Sequence, residues 1–191
     1  MQPLRSSANS AIGLSSPEIS FIPNMSVKVF WIGSPAIGRL GIVPRPRGGD
    51  WLEVDIDAWR DTGIHVVVSL LEADEAIELH LEDEARIVRA AGMQFEPFPI
   101  RDRGVPSRIE SALTLAGTLA RLIRDGRTIV VHCRQSIGRA SIVVALILMS
   151  LEEGLDEALA AIKNARGLEV PETEGQLRWL EAVASRVVSS S

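Results

Sequence analysis

The stretch Thr128-Ile-Val-Val-His-Cys-Arg-Gln-Ser-Ile-Gly-Arg-Ala-Ser141 decides how the rest of the chain is read. Its first four residues are all β-branched, the composition of a buried strand. They deliver His132 and Cys133 to a short loop, which Gly138 turns into an apolar helical run over 141–151. Cys133 is the only cysteine in the 191 residues. A thiol is a good nucleophile only as thiolate, so its ordinary pKa of about 8.5 has to fall. A loop that opens a helix favours this, because its backbone N–H groups converge and the helix dipole adds partial positive charge. The same amides can cradle a phosphate dianion, and the Arg139 guanidinium can grip two of its oxygens in a fork. Nucleophile, cradle and clamp share one strand, loop and helix.

Spacing alone is weak support for this reading. Lys28 and Lys163 are the only lysines among 20 basic residues, so arginine is abundant, and a lone cysteine is often just a small buried hydrophobe. The strand before the loop and the helix after it add weight. So does Asp102. A thiolate that displaces an alcohol or phenol from phosphorus needs an acid to protonate the leaving oxygen. Asp102 lies in the loop Arg101-Asp-Arg-Gly-Val-Pro106, which follows an expected strand and precedes Cys133 by 31 residues. The helix and strand between them form a crossover that brings both loops to one sheet edge. Asp102 also suits a turn beside Gly104 and Pro106, and the two roles are compatible.

The bulk composition sets limits. Hydrophobic content of 46% with 24% charged residues describes one ordinary globular domain rather than a disordered chain. A net charge of −5 argues against nucleic acid or an anionic membrane as a general partner. One cysteine excludes an internal disulfide and fits a reducing compartment. The longest apolar run, 142–149, is too short to span a bilayer, and no secretory leader is evident. The expectation is a soluble, cytoplasmic protein with no membrane insertion; the oligomeric state is not legible.

The expected organisation is a flexible tail over 1–24, one domain over 25–187 and a frayed end at 188–191. Strands are expected at 27–32, 39–43, 64–71, 93–100 and 128–132. A short helix capped by Asp50 places Leu52, Ile56 and Trp59 on one face and ends at Gly63. Further helices are expected at 74–91, broken near His80, and at 107–124, started by a Ser107–Glu110 capping box. Three more follow at 138–152, 156–166 and 173–186, the last with a Thr173–Gln176 box. Strands alternating with helices give an α/β fold, a central mostly parallel sheet flanked by helices, with its site at the C-terminal strand ends. The acidic cluster from Glu72 to Glu84 reads as a solvated helical face with Arg86 and Arg89 as ordinary partners. His65 and His80 read as structural, and Trp31, Trp51, Trp59 and Trp179 as core or core-edge aromatics, with Trp51 or Trp59 conceivable at the mouth of the site.

His132-Cys133, five residues and Arg139 resemble the HC-x5-R signature of the protein tyrosine phosphatase superfamily. Pro99-Ile-Arg-Asp102 with Pro106 is similar to the acid loop of its compact dual-specificity-like members, and the stretch from Ala165 to Thr173, with Gln176 and Trp179, resembles their helical tail. The resemblance covers about 27–185. It implies a protein tyrosine phosphatase-like fold and a two-step reaction through phosphocysteine, with no cofactor or metal. Cys133 matches the nucleophile, Arg139 the clamp, Asp102 the acid and then base, and His132 the residue that orients the loop. The amides of Arg134, Gln135, Ser136, Ile137, Gly138 and Arg139 match the phosphate cradle. Two positions depart: Ser136 stands where the family usually has glycine, and Ala140 where Ser or Thr usually follows the arginine. The implied substrate is a phosphorylated protein, chiefly phosphotyrosine with phosphoserine or phosphothreonine also possible, or a related small phosphomonoester. The alternatives are a phosphoinositide, inositol phosphate or nucleotide substrate, or a catalytically weak phosphate-binding module.

Overall fold

The strand that carries the cysteine is the middle of the molecule. The computed structural model describes residues 27–33 and 38–189. Its strands are β1 Phe30–Ile32, β2 Arg39–Ile42, β3 Val66–Ser69, β4 Gln94–Pro97 and β5 Thr128–His132, joined in one sheet in the order β1-β2-β5-β3-β4. The β1–β2 pair is antiparallel and the other three pairings are parallel, which makes the sheet mostly parallel as expected. All five residues of β5 are buried. Helices on both faces explain why the inner strands read as continuous apolar runs rather than alternating ones.

The helices are α1 Leu52–Asp61, α2 Ala73–Glu78, α3 Glu84–Ala90, α4 Ile109–Arg124, α5 Gly138–Ser150, α6 Leu155–Arg166 and α7 Glu174–Ser189. Alternation along β3 and β5 divides the core. Val66, Val68, Ile129 and Val131 meet Leu119 and Ile123 of α4 and Ile142 and Leu146 of α5 on one face. Val67 and Val130 meet Leu52, Ile56 and Trp59 of α1 and Val88 of α3 on the other. Helix α5 is buried from Gly138 through Leu148, so it lacks a polar stripe and serves as a core element.

Two expected helix starts differ. Helix α4 begins at Ile109 with extended Arg108 at its cap and no side-chain cap bond, so Ser107 lies outside the first turn. The chain is still extended as it leaves the loop after β4. Asp50 does not cap α1 either, because residues Gly49–Trp51 form a 3₁₀ turn ahead of it. The break near His80 is present, with this residue at φ +55° between α2 and α3. The Thr173–Gln176 cap is reciprocal, with both backbone-to-side-chain bonds at 3.2 Å. The expected tail over 1–24 and the final residues 190–191 lie outside the described residues; α7 continues to Ser189.

Parallel pairing aligns the C-terminal ends of β2, β3, β4 and β5. Val43 N–H donates to Val131 O at 3.1 Å, Leu70 N–H to His132 O at 3.1 Å, and Ile100 N–H to Leu70 O at 3.2 Å. The loops that follow these four strands therefore meet at one edge, beside Cys133.

Candidate active site

The Cys133 loop curls around its own sulfur. Cys133 is 2% exposed, and Ser136 N–H donates to its Sγ at 3.1 Å. That geometry places Ser136 at φ +54°, the left-handed region in which a Cβ costs roughly 1–2 kcal/mol. Glycine is the unstrained choice there, which is the physical basis of the departure noted from the sequence. The serine hydroxyl offsets the strain. It donates to Val43 O at 2.6 Å and accepts from Cys133 N–H at 3.3 Å, tying the loop to the end of β2. Two such bonds contribute about 1 kcal/mol each.

Arg139 opens α5 and is itself buried, yet it is fully directed. Nη1 donates to Glu75 Oε2 at 2.6 Å and to Ile100 O at 2.8 Å, while Nη2 donates to Glu75 Oε1 at 2.8 Å. Asp102 Oδ1 lies 2.8 Å from Nη2 as an ion pair, out of line for a straight hydrogen bond. The guanidinium is thus fixed by one carboxylate behind it and capped by another in front. Burial pushes the Glu75 carboxyl up, but hydrogen bonds from Arg139 and the Glu72 amide, with the Arg139 charge, hold it below the usual range. Burial opposes the Arg139 charge, and Glu75, Cys133 and Asp102 together keep its pKa raised.

Glu75 is the site residue that sequence reasoning missed. The cluster from Glu72 to Glu84 is not simply a solvated face, because Glu75 and Glu84 are buried. Glu78, on the outer side of α2, grips Arg134 in a fork with contacts of 2.6 and 2.8 Å. One short helix therefore holds both arginines of the cysteine loop. Local spacing could not disclose this, since the partners stand 56 and 64 positions away in the chain.

His132 lies behind the loop, fully buried. Its Nε2 is 2.8 Å from Glu84 Oε1, out of line for a straight hydrogen bond, and Ser69 Oγ donates to Glu84 Oε2 at 3.3 Å. Trp59 packs 5.9 Å from the imidazole and is core, whereas Trp51 is 54% exposed with Arg47 stacked on it at 4.4 Å. Trp51 is therefore not a core aromatic: the 3₁₀ turn before α1 carries it outward. Gln135 is exposed and Ile137 half-buried. Gly138 leaves little room for a side chain, because a Cβ would fall 2.7 Å from Gln176 Oε1 and 2.9 Å from Glu172 Cβ. Gln176 in turn donates to Gly104 O at 3.0 Å, two residues beyond Asp102. Ala140 is buried, and the hydroxyl of Ser141 donates to Ile137 O. Among the described residues, no group of three or more His, Cys, Asp or Glu could hold a metal ion.

Residues 43–153 match the family Tc-R-P, described as "polymorphic toxin system, DSP-PTPase phosphatase". The chain belongs to this family of dual-specificity-type phosphatases. The matched segment runs from the end of β2 through α5, and so contains the cysteine loop, the Asp102 loop and α2. Cyclin-dependent kinase inhibitor 3 of Rattus norvegicus is 21% identical over 140 residues, 72% of this chain and 66% of that protein. The chain thus spans just under two thirds of that relative's length. A crystal structure of kinase associated phosphatase, in a form with serine replacing the catalytic-site cysteine, superposes with a TM-score of 0.75 at 17% identity. That match covers 85% of this chain and 97% of the other. The active form of Tk-PTP matches with a TM-score of 0.64 at 27% identity, over 78% of this chain and 93% of the other.

Proposed function

We propose that the protein hydrolyses phosphomonoesters through Cys133, with phosphotyrosine protein as the principal substrate class. The observation that carries this reading is the joint placement of Arg139 and Asp102, 2.8 Å apart, at the loop whose amide donates to the cysteine sulfur. Family membership and a relative with a named catalytic-site cysteine support it.

In the first step the thiolate of Cys133 attacks phosphorus and the bond to the leaving oxygen breaks. The Asp102 carboxyl gives its proton to that oxygen. The loop amides and Arg139 hold the three remaining phosphate oxygens, where charge is concentrated in the transition state. In the second step water attacks the phosphorus of phosphocysteine, gives its proton to the Asp102 carboxylate, and the thiolate leaves. Before substrate binds, Asp102 occupies the edge of Arg139 that a phosphate oxygen needs. An arriving dianion takes that edge and frees Asp102 toward the leaving group.

A phosphoinositide or inositol phosphate substrate is the second reading. Against it, the loop carries one basic residue before the clamp, and Glu78 already neutralises it. Among the described residues no helix is long and apolar enough to cross a membrane; we place the enzyme in the cytoplasm on its single cysteine.

The deciding experiment compares three proteins on an activated aryl phosphate and on a poor leaving group. Cys133→Ser abolishes turnover on both while retaining inorganic phosphate binding, because an alcohol is a poor nucleophile at neutral pH. Asp102→Asn slows the poor leaving group far more than the activated one. Substantial hydrolysis by Cys133→Ser, or equal losses on both substrates in Asp102→Asn, overturns these assignments.

A further inference from the structure

Three of the four loops at the mouth of the site are basic although the chain carries a net charge of −5; the fourth, after β3, leads into the acidic helix α2. Segments 44–49, 98–108 and 133–139 together contain seven arginines and one carboxylate, Asp102. Four of the arginines are engaged: Arg139 by Glu75 and Asp102, Arg134 by Glu78, Arg47 by Asp55, and Arg103, loosely, by Glu172 at 3.7 Å. Arg45, Arg101 and Arg108 have no carboxylate within 4.0 Å among the described residues. Arg101 and Arg108 are exposed and Arg45 is half-buried. Unpaired cations in an acidic protein, all on loops at one sheet edge, are a field that an anionic ligand would complete.

Their placement says what shape of ligand. Arg45 follows Val43, whose carbonyl holds Ser136 of the cysteine loop, so it stands on the β2 side of the sulfur. Arg101 and Arg108 stand on the loop after β4. In the sheet order, β5 and β3 separate β2 from β4, three strand spacings or roughly 14 Å. An extended peptide rises about 3.3 Å per residue, so four residues cover that gap. A compact phosphorylated ring reaches one side and leaves the other unpaired.

We propose that the mouth receives an extended phosphopeptide with acidic residues on both sides of the phosphorylated one. Carboxylates before and after the phosphoresidue meet Arg45 on one flank and Arg101 and Arg108 on the other. This rests on the phosphatase reading above and narrows its substrate class.

The test uses phosphotyrosine peptides identical except for acidic or amide flanks, with an inositol polyphosphate and an aryl phosphate alongside. Turnover is read in the wild-type protein and binding in Cys133→Ser, so the flank preference is measured even without chemistry. The acidic peptide is expected to exceed the amide peptide about tenfold in kcat/KM and in affinity at low salt, with the gap closing at high salt. The double variant Arg45→Glu, Arg108→Glu abolishes the preference and leaves aryl phosphate turnover unchanged. Equal handling of the two peptides overturns the proposal, as does faster turnover or tighter binding of the inositol polyphosphate. Loss of aryl phosphate turnover in the wild type is a different result: it sinks the phosphatase reading, and the binding arm still decides the flank preference.

Discussion

At the scale of single residues, two departures from the family pattern have different consequences. Ser136 keeps the left-handed turn because its hydroxyl is bonded on both sides, to Val43 O and Cys133 N–H. Ala140 has no such compensation. The hydroxyl usual at its position is expected to donate to the cysteine sulfur as it leaves phosphorus, and Ser141 is turned to Ile137 O instead. A hydrogen bond to a charged group is worth roughly 1.5–3 kcal/mol, so its loss slows hydrolysis of phosphocysteine roughly 10- to 100-fold. An activated aryl phosphate should give a burst followed by slow turnover, and Ala140→Ser should shrink the burst and raise the steady rate. Linear release from the first turnover would show that the Ser136 amide at Sγ suffices. Asp102 offers a second check at this scale. It is 56% exposed, so its pair with Arg139 is worth at most about 1 kcal/mol. Asp102→Asn should therefore tighten inorganic phosphate binding by roughly two- to fivefold, measured by competition or calorimetry; weaker binding would mean that Asp102 does not compete with phosphate for Arg139.

At the scale of elements, the strand–loop–helix of 128–150 was legible from its residues because its chemistry is local: β-branched strand, cysteine, glycine turn, apolar helix. Helix α2 was not. Its six residues look like surface, and only the fold reveals that Glu75 turns inward to Arg139. Removing one member of a buried ion pair leaves the other uncompensated and costs about 3–5 kcal/mol. Glu75→Gln should lower stability toward that range at neutral pH and cripple kcat/KM by misaligning the clamp. The pH dependence has a definite sign. The folded-state carboxyl of Glu75 titrates below its ordinary value of 4.5, so the stabilisation is complete above that value and is lost as pH falls through the folded-state one. Urea denaturation of wild type and Glu75→Gln should differ most near neutrality and converge in acid. A gap independent of pH would place the cost in packing instead.

At the scale of the whole molecule, the alternation of strands and helices announced an α/β sheet, and the crossover between Asp102 and Cys133 announced that their loops share an edge. What no pattern announced was the link between these loops. Gln176, expected as half of a helix cap and as part of the family-like helical tail, lies against Gly138 at the start of α5 and donates to Gly104 O in the Asp102 loop. It joins the C-terminal helix to both the cysteine loop and the Asp102 loop, at tertiary contacts that exist only after the chain has folded. If this contact sets the height of Asp102 over the leaving group, its loss should resemble a partial loss of the acid. Gln176→Met, similar in volume but unable to donate, should slow a poor leaving group roughly tenfold and an activated aryl phosphate little, since small misplacements of a catalytic group are costly. In an Asp102→Asn background the same substitution should cost almost nothing, because residues that act through one another are not additive. Equal losses with and without Asp102, on both substrates, would reduce Gln176 to a support for α7 and leave the acid loop to be positioned by its own turn.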